Sequence, residues 1–470
     1  MRSGVVGVVE VAKGVWGAGL TREFLFWGIW LVIPLLMDVL SGISSAMVVL
    51  SKYFKRKHME LDYVPYVNIL IPVYNSGSTL EACLNSIKLQ NYPIKNITVF
   101  LIDNGTRDKS YEVYCDFQRD NPALKVWWLD STKGKAKALN KGLYMSEGKY
   151  IINIDSDGVL DKNAVHRVIR KFESDVSIYA MTGVVLIDSN YIEKTKSYLM
   201  RLIQRCEFFE YTEAFLVGRG FQSASNTMFT LAGAFSCYRK DIVLKTQLYN
   251  NETLGEDTHM TSQIRGLNKG KIVLCEDAYF YVDPVENLDK LYIQRQRWQR
   301  GQVEVSSLFK NGIGGGGAGV GANKKNKLFS VLNFTLLKDH TLVFPRFIWI
   351  FAMLYLVFID YPLGLVVGAN VFMYLAYVLS SFVYYFVSKL YLKDMKKDRE
   401  YMDKHLYIIF LLPIYRFLVF IMRVAGIINS ASRYASWNSM TFTEESTIVR
   451  NKLHGKFKLY FVIKEWVNNG

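Results

Sequence analysis

The sequence predicts an α/β domain set between apolar segments that are long enough to reach into a membrane. Residues 66–282 alternate strand patterns with helix patterns, which is typical of a sheet covered by helices. Apolar runs lie on both sides of this stretch, at residues 24–50 and from residue 344 onwards. A helix that crosses a bilayer needs about 20 such residues. These observations favour a soluble core joined to several membrane helices.

Composition and charge agree with this organisation. The chain has 470 residues, of which 50% are hydrophobic, and a net charge of +15. Its basic clusters, residues 52–58 and 389–404, follow apolar runs, which is typical of cytoplasmic segments beside membrane helices. A nucleic-acid surface would interleave basic with aromatic residues, so no nucleic acid is expected as a partner. The five cysteines are odd in number and include no CxxC, which favours reduced thiols in a cytosolic domain.

The predicted organisation has five parts. They are an N-terminal region 1–58 with a transmembrane helix at about 24–50, a cytosolic α/β domain 59–310, a Gly-rich basic loop 311–327, an interfacial and transmembrane region 328–430, and a tail 431–470. Within the fourth part, residues 344–360 and 363–388 are predicted to cross the membrane. The N-terminus is then expected outside the cell, and the α/β domain in the cytoplasm.

The segment 405–429 is ambiguous. It is apolar enough to cross a membrane, but Arg416 and Arg423 would then be two cations at membrane depth. Pro413 is also expected to interrupt a helix there. Because the two arginines are seven residues apart, they share one helix face, and a cationic face suits an interfacial helix. An interfacial or re-entrant helix is therefore favoured over a third C-terminal span.

Acidic side chains follow two of the predicted strands. The strands are residues 67–73, 97–102, 126–129 and 150–154; Asp103 follows the second, and Asp155 and Asp157 follow the fourth. The carboxyl ends of parallel strands meet at one edge of a sheet, where α/β domains bind ligands. Two carboxylates there can hold a divalent cation against a diphosphate, although each could also be an ordinary turn residue.

Further polar motifs have both a functional and a structural interpretation. Lys135 opens a predicted helix and can contact a diphosphate or lie on a solvated face. Asp257 can act as a general base or cap a helix N-terminus. In QRQRW, Gln294, Arg297 and Trp298 share one helix face, whereas Arg295 and Arg300 lie off it and are expected to meet acidic lipid headgroups.

In combination, these motifs carry a family resemblance. IPVYN (71–75), DNGTRD (103–108), KGKAKALNKG (133–142), DSD (155–157), LAGAFSCYRK (231–240), GED (255–257) and QRQRW (294–298) occur in this order. The set resembles the membrane-embedded, processive glycosyltransferases of family 2, whose members include cellulose, hyaluronan, chitin and poly-N-acetylglucosamine synthases. The resemblance implies a Rossmann-like GT-A domain between an N-terminal transmembrane helix and a C-terminal bundle of transmembrane and interfacial helices. It also implies an inverting hexosyltransferase with a UDP-sugar donor, Mg²⁺ or Mn²⁺, and a multi-pass location in the inner or plasma membrane.

The same resemblance assigns residue roles. It implies Asp257 as general base with Glu256 beside it, and Asp157 as metal ligand. The nucleotide-sugar contacts it implies are Pro72, Tyr74, Asn75, Asp103, Lys135, Asp155 and Arg297. The acceptor contacts it implies are Gly233, Ala234, Phe235, Gln294 and Trp298. Trp437 and Thr441 are similar to a gating loop, although the basic residue usual after that Trp is missing.

Two other functions stay open at this point. A non-processive enzyme would put one sugar on a lipid phosphate or glycolipid acceptor, and an inactive scaffold would organise a polymer-making machine. QRQRW favours a polysaccharide acceptor, because its aromatic residue can stack against a sugar ring. The intact acidic set argues against an inactive scaffold. An accessory export subunit is a further expected partner besides the lipid bilayer.

Overall fold

The computed structural model of the chain describes residues 35–54, 63–250, 255–267, 270–310, 343–359, 361–432 and 466–468, together with residues 31 and 253. Within these residues, eight strands form one sheet in the order β3-β2-β1-β4-β7-β6-β8-β5. The strands are β1 Val67–Val73, β2 Ile97–Asp103, β3 Lys125–Leu129, β4 Tyr150–Ile154, β5 Gly158–Leu160, β6 Ile178–Ile187, β7 Phe235–Arg239 and β8 Lys271–Val282.

Helices lie between the strands of this sheet, and further helices precede and follow the α/β region. Those before β6 are α1 Ser41–Phe54, preceded by a π-helical stretch Leu35–Leu40, and α2 Leu80–Lys88, α3 Ser110–Asp120, α4 Lys135–Met145 and α5 Ala164–Ser174. Those that follow are α6 Ser189–Lys194, α7 Tyr198–Thr212, α8 Gly220–Ala224, α9 Lys240–Val243, α10 Glu256–Gly266, α11 Leu288–Lys310, α12 Val343–Phe358, α13 Leu363–Tyr391, α14 Lys396–Lys404 and α15 Ile408–Ser432.

The first half of the sheet is parallel, as the sequence predicts. β1 pairs in parallel with β2 and β4, and β2 pairs in parallel with β3. Every residue of β1 and β4 is buried, which explains why these strands read as continuous apolar runs. The register places Asp103 opposite Val73, so the loops after β1 and β2 begin side by side. The carboxyl edge expected to carry the site therefore exists.

The second half of the sheet mixes strand directions. β7 runs antiparallel to both β4 and β6, whereas β6 and β8 are parallel. The pairing of Ile154 with Phe235 brings the chain just before β7 to the end of β4. There the amide of Asp155 donates to the carbonyl of Ala234 at 3.3 Å. The LAGAFSCYRK motif and the DSD motif thus become neighbours through an antiparallel pairing.

Apolar helices follow the sheet at its C-terminal side. Two of the described helices, residues 363–391 and 408–428, are long and apolar enough to cross a membrane by length and composition. α12 is also apolar but has 16 residues. Pro413 does not interrupt α15, contrary to the sequence prediction, since it lies in the second turn of a helix that continues to Ser432.

The arginines of α15 meet protein partners. Arg416 forms an ion pair with Glu213 and donates to Ser381 Oγ at 3.0 Å. Arg423 Nε donates to Gln299 Oε1 of α11 at 2.7 Å. A Cβ on Gly426 would lie 3.1 Å from the backbone of Gln296, so α11 and α15 approach closely. The cationic face predicted to favour an interfacial position is therefore occupied by contacts to the α/β region.

Several sequence predictions lie outside the described residues. They concern the first part of the apolar run 24–50, the basic residues 55–58, the loop 311–327, and the gating-loop-like residues Trp437 and Thr441. The five cysteines lie within the described part, and all are free, as expected for reduced thiols.

Candidate functional site

Two loops at the carboxyl edge are built around Asp103. Its Oδ1 accepts hydrogen bonds from the amides of Gly105 at 2.9 Å and Thr106 at 2.8 Å. This oxygen therefore stabilises a turn, as the structural interpretation of Asp103 predicts. The neighbouring loop joins the same turn, because the amide of Asn75 donates to Thr106 Oγ1 at 3.1 Å. Asn75 has a φ of +51°, and Tyr74 is exposed beside it. Asp103, Tyr74 and Asn75 thus share one edge.

The loop before α4 is tied to the same edge by a residue that sequence reasoning missed. Asn104 Oδ1 accepts from the amide of Gly134 at 2.6 Å. Gly134 has a φ of +137°, a conformation that favours glycine, and α4 begins at the next residue. Lys133 lies over the ring of Tyr74, 5.5 Å from its centroid. Asn104 directly follows Asp103, and this position in the sequence could have indicated that it belongs to the site.

Lys135 is the centre of a charged cluster and does not lie on a solvated helix face. Its Nζ is 2.5 Å from Asp155 Oδ1 and 3.8 Å from Glu256 Oε1. Burial opposes the charge of this ammonium group, but the attraction of the two carboxylates outweighs it and holds the pKa of Lys135 above its ordinary value. Burial raises the pKa of Glu256, as does the nearby charge of Asp257, whereas Lys135 and Arg297 oppose the rise.

Asp157 lies two residues after Asp155, in the turn that follows β4. Partial burial and the charge of Asp155 raise the pKa of Asp157 to about 6, although its side chain remains accessible to solvent. It also lines a cavity of about 390 Å³ together with Tyr281 and Asp283. Among the described residues, no three His, Cys, Asp or Glu side chains are grouped to hold a metal by themselves. The donor set fits Mg²⁺ or Mn²⁺ that takes its other ligands from a diphosphate.

Asp257 faces this cluster from the first turn of α10. The helix N-cap is Gly255, so Asp257 is not the cap that the structural alternative required. Its Oδ1 accepts from the amide of Thr258 at 2.7 Å. A Cβ on Gly233 would be 3.4 Å from Asp257 Oδ2 and 3.6 Å from Lys135 Nζ. Gly233 therefore separates two charged groups at a point where only a small residue leaves space between them.

We expect Gly233→Val to abolish sugar transfer, because the branched side chain would fill the space between Asp257 and Lys135. Gly233→Ala is the matched control, since a single methyl group would sit at 3.4–3.6 Å, which is ordinary contact. The measurement is donor turnover for both variants, with the melting temperature as a check on folding. A Gly233→Val variant as active as the Ala variant would show that this gap is not part of the site.

QRQRW lies on α11, and Gln294, Arg297 and Trp298 have different environments there. Trp298 is 47% exposed, and its ring centroid is 6.0 Å from that of Tyr211. Gln294 Nε2 lies 3.4 Å from the hydroxyl of Tyr211. Burial raises the pKa of Glu256, and the positive charge of Arg297 opposes part of that rise. The motif thus brings a cation to the carboxylate cluster and an accessible indole beside it.

Arg295 and Arg300 do not meet lipid headgroups, contrary to the sequence prediction. Both side chains are buried. Arg295 Nη2 is 2.6 Å from Glu210 Oε2, and Arg300 Nε is 2.7 Å from Glu304 Oε1. Glu207 lies 4.0 Å from Arg295, and its Oε2 accepts from the amide of Val285 at 3.1 Å. These acidic partners belong to no motif, which is why the sequence did not indicate them.

Two residues of the predicted site lie inside the protein. Phe235 is fully buried, its ring 5.9 Å from that of Phe280, because β7 turns this side chain into the core. This position does not support the predicted acceptor contact. Pro72 is buried within β1 and positions Tyr74 and Asn75 through the backbone. Gly233 and Ala234, by contrast, are partly exposed beside the carboxylates.

We expect Glu207→Gln to make the protein more stable than the wild type at neutral pH. Burial raises the pKa of Glu207 to about 7, against 4.5 ordinarily. The folded chain therefore keeps a proton that the unfolded chain releases between pH 4.5 and 7, so wild-type stability falls as pH rises through this window. Glutamine avoids this loss, which is on the order of 2–3 kcal/mol. Denaturant unfolding at pH 5 and pH 8 measures the free energy of unfolding of the variant and the wild type. If the two proteins differed equally at both pH values, the raised pKa of Glu207 would be contradicted.

A family comparison identifies the domain. The model of the family described as "Glycosyl transferase family 2" matches residues 68–245. This chain contains a family 2 glycosyltransferase domain. The matched residues hold Asp103, Lys135, Asp155 and Asp157, so the family resemblance inferred from the motifs is confirmed. Asp257 and QRQRW lie beyond the matched residues.

Relatives of the family 2 glycosyltransferase domain include bacterial polymer synthases. The poly-beta-1,6-N-acetyl-D-glucosamine synthases of Staphylococcus aureus and Staphylococcus epidermidis are 26% identical to this chain over 253 residues, which is 53% of this chain. The alignments span 58% and 57% of those two relatives. The chain is thus matched to somewhat more than half of each synthase.

A solved structure shows that the fold is shared. It is the mannosyltransferase PcManGT from Pyrobaculum calidifontis, in complex with GDP-Man and Mn²⁺. At 15% sequence identity, the likeness covers 78% of this chain and 98% of that protein, with a TM-score of 0.55. The predicted α/β fold of the GT-A type is therefore confirmed for the family 2 glycosyltransferase domain.

Proposed function

We propose that this protein is an inverting glycosyltransferase that extends a polysaccharide from a UDP-sugar. One observation carries the proposal: Asp257 and Lys135 both approach Gly233, Lys135 pairs with Asp155, and the neighbouring helix α11, which contacts Gly255, exposes Trp298. The groups that a donor and an acceptor would need are therefore carried by neighbouring elements. The similarity to poly-beta-1,6-N-acetyl-D-glucosamine synthases supports a polymer as the product.

The donor side uses the carboxyl edge. Asp103 has a second oxygen to accept from a nucleobase, and Asp155 can accept from the base or ribose. Lys135 and Arg297 bring positive charge to the place where the diphosphate leaves, which stabilises the charge that develops as the sugar–phosphate bond breaks. A bound Mg²⁺ or Mn²⁺ would be held by Asp157 and would neutralise part of the diphosphate charge.

The acceptor side uses Asp257 and Trp298. Asp257 Oδ2 takes the proton from the acceptor hydroxyl, whose oxygen then attacks the anomeric carbon from the face opposite the leaving UDP. One C–O bond forms as the sugar–phosphate bond breaks, and the configuration inverts. The exposed indole of Trp298 supplies a flat apolar surface for the acceptor sugar, and Gly233 with Ala234 allows the acceptor to approach the backbone.

The apolar helices support a membrane location. We propose a multi-pass protein of the inner or plasma membrane whose catalytic domain faces the cytoplasm, with α13 among its spanning helices. Residues 415–426 of α15 contact α7, α11 and Glu213 of that domain, which favours an interfacial position for α15. Processive extension and export through these helices, with an accessory subunit, belong to the same proposal.

The decisive test is UDP release by the full chain in lipid, against a panel of UDP-sugars with Mg²⁺, Mn²⁺ or EDTA. We expect one sugar to be turned over, the activity to be lost in EDTA, and a ladder of polymer lengths to accumulate. A single lipid-linked sugar would favour the non-processive alternative. Absence of both UDP binding and UDP release with every sugar would favour an inactive scaffold.

A further inference from the structure

We propose that Arg295 is a positioning residue for the acceptor-binding indole of Trp298, and that Glu210 and Tyr415 hold Arg295 in place. This inference rests on the proposed function, which gives Trp298 its contact with the acceptor sugar. Arg295 itself is 4% exposed, so we expect it to act on the acceptor through Trp298, its neighbour one helical turn away.

The first step is the contact between the two side chains. The guanidinium carbon of Arg295 lies 4.5 Å from the centroid of the Trp298 ring, which is within the range of a cation–π interaction. The ring of Tyr211 also lies near both groups, 5.8 Å from the guanidinium carbon and 6.0 Å from the indole. Trp298 is therefore backed by a buried cation and an aromatic ring, while about half of it stays accessible.

The second step is the anchoring of Arg295. Its Nη2 is 2.6 Å from Glu210 Oε2 and 3.3 Å from the hydroxyl of Tyr415, which itself donates to Glu210 Oε2 at 3.1 Å. Glu207 lies 4.0 Å away on the same helix as Glu210. The guanidinium is thus fixed from α7 and from α15. The buried guanidinium therefore keeps its place against the indole, while Glu210 stays partly accessible to solvent.

The third step is the choice of side chain. A planar guanidinium can pair with a carboxylate through its edge and stack on an aromatic ring through its face at the same time. A lysine could keep the ion pair with Glu210, but its compact ammonium group offers no flat surface to the indole. Arg295→Lys therefore separates the anchoring contact from the positioning contact.

The experiment compares donor and acceptor kinetics in the full chain in lipid. Short oligosaccharides of the wild-type product serve as acceptors, with the donor that the wild type uses. For Arg295→Lys we expect the KM for the acceptor to rise about tenfold, as for the loss of a desolvated cation–π contact, and the products to shorten. The KM for the donor should stay within about twofold, because the nucleotide contacts lie elsewhere.

Arg300→Lys is the matched control, because Arg300 is a buried, ion-paired arginine of the same helix. In a Trp298→Phe background, the extra effect of Arg295→Lys on the acceptor KM should shrink, since the indole is already absent. If Arg295→Lys fails to fold, Tyr415→Phe removes one anchoring hydroxyl, and a smaller rise in the acceptor KM is expected.

Each outcome decides the matter. An acceptor KM that rises in Arg295→Lys but not in Arg300→Lys supports the positioning role. Equal changes in donor and acceptor KM, or the same change in both variants, would show that Arg295 only holds the helix. A wild type that transfers sugar with unchanged Arg295→Lys kinetics overturns this inference alone, whereas a wild type that transfers no sugar overturns the proposed function with it.

Discussion

Replacing Asp257 by asparagine is expected to reduce the rate of sugar transfer by about 10³-fold, which lies within the range that general base catalysis contributes. The substitution keeps the size of the side chain and an oxygen that can accept from the Thr258 amide. It removes the group that can take a proton beside Gly233. Binding of UDP should change little, because Asp257 lies on the acceptor side of the cleft. Rates of UDP release and a UDP titration measure the two effects.

Asp241→Asn is a suitable control for this variant. Asp241 is exposed and forms a surface ion pair with Lys245 at 3.6 Å, away from the cleft. We expect it to release UDP at the wild-type rate. An Asp257→Asn variant with near wild-type turnover would remove Asp257 from the chemistry and would require another base.

The second large effect is expected for Lys135→Met. Methionine fills a similar volume but leaves Asp155, Glu256 and Asp257 close together without their shared cation. Removing one partner of a buried ion pair costs about 3–5 kcal/mol in typical cases, so the melting temperature should fall. Donor binding should fall by about 100-fold or more, since a charge at the diphosphate is lost as well. Calorimetric titration with UDP and a thermal melt test both parts.

Lys137→Met is the control for Lys135→Met, because it makes the same substitution in the same helix. Lys137 lies on the same helix, two residues further on, and is exposed. We expect its stability and its affinity for UDP to match those of the wild type. If Lys135→Met bound UDP as tightly as Lys137→Met, the role of Lys135 would be limited to compensating the carboxylates.

The parallel half of the fold could be predicted because β1 and β4 are buried on both faces and because turn residues follow its strands. β1 and β4 have the bounds predicted for residues 67–73 and 150–154. β6, β7 and β8 were not assigned individually, since the antiparallel pairing of β7 with β4 depends on contacts distant in sequence. Local patterns carry no information on such pairing.

Some residues of the candidate site could likewise be predicted from the sequence, and others could not. Motif residues such as Asp155 and Asp257 could be predicted, because the chemistry limits the side chains that can serve. Glu207 and Glu210 could not, since an acidic residue on a helix is ordinarily solvated and only the buried Arg295 explains them. Phe235 is the opposite case: it lies in a motif, but its strand is buried on both faces and its ring packs against Phe280 in the core.

The close approach at Gly426 has a mechanical consequence for a polymerising enzyme. The helix that carries Trp298 lies almost backbone to backbone against α15 at Gln296, and Arg423 of α15 donates to Gln299 in the next turn. In the proposed cycle, the acceptor platform and the apolar helix therefore move as one body. The advance of the polymer by one sugar is then not expected to come from a movement of Trp298 relative to α15.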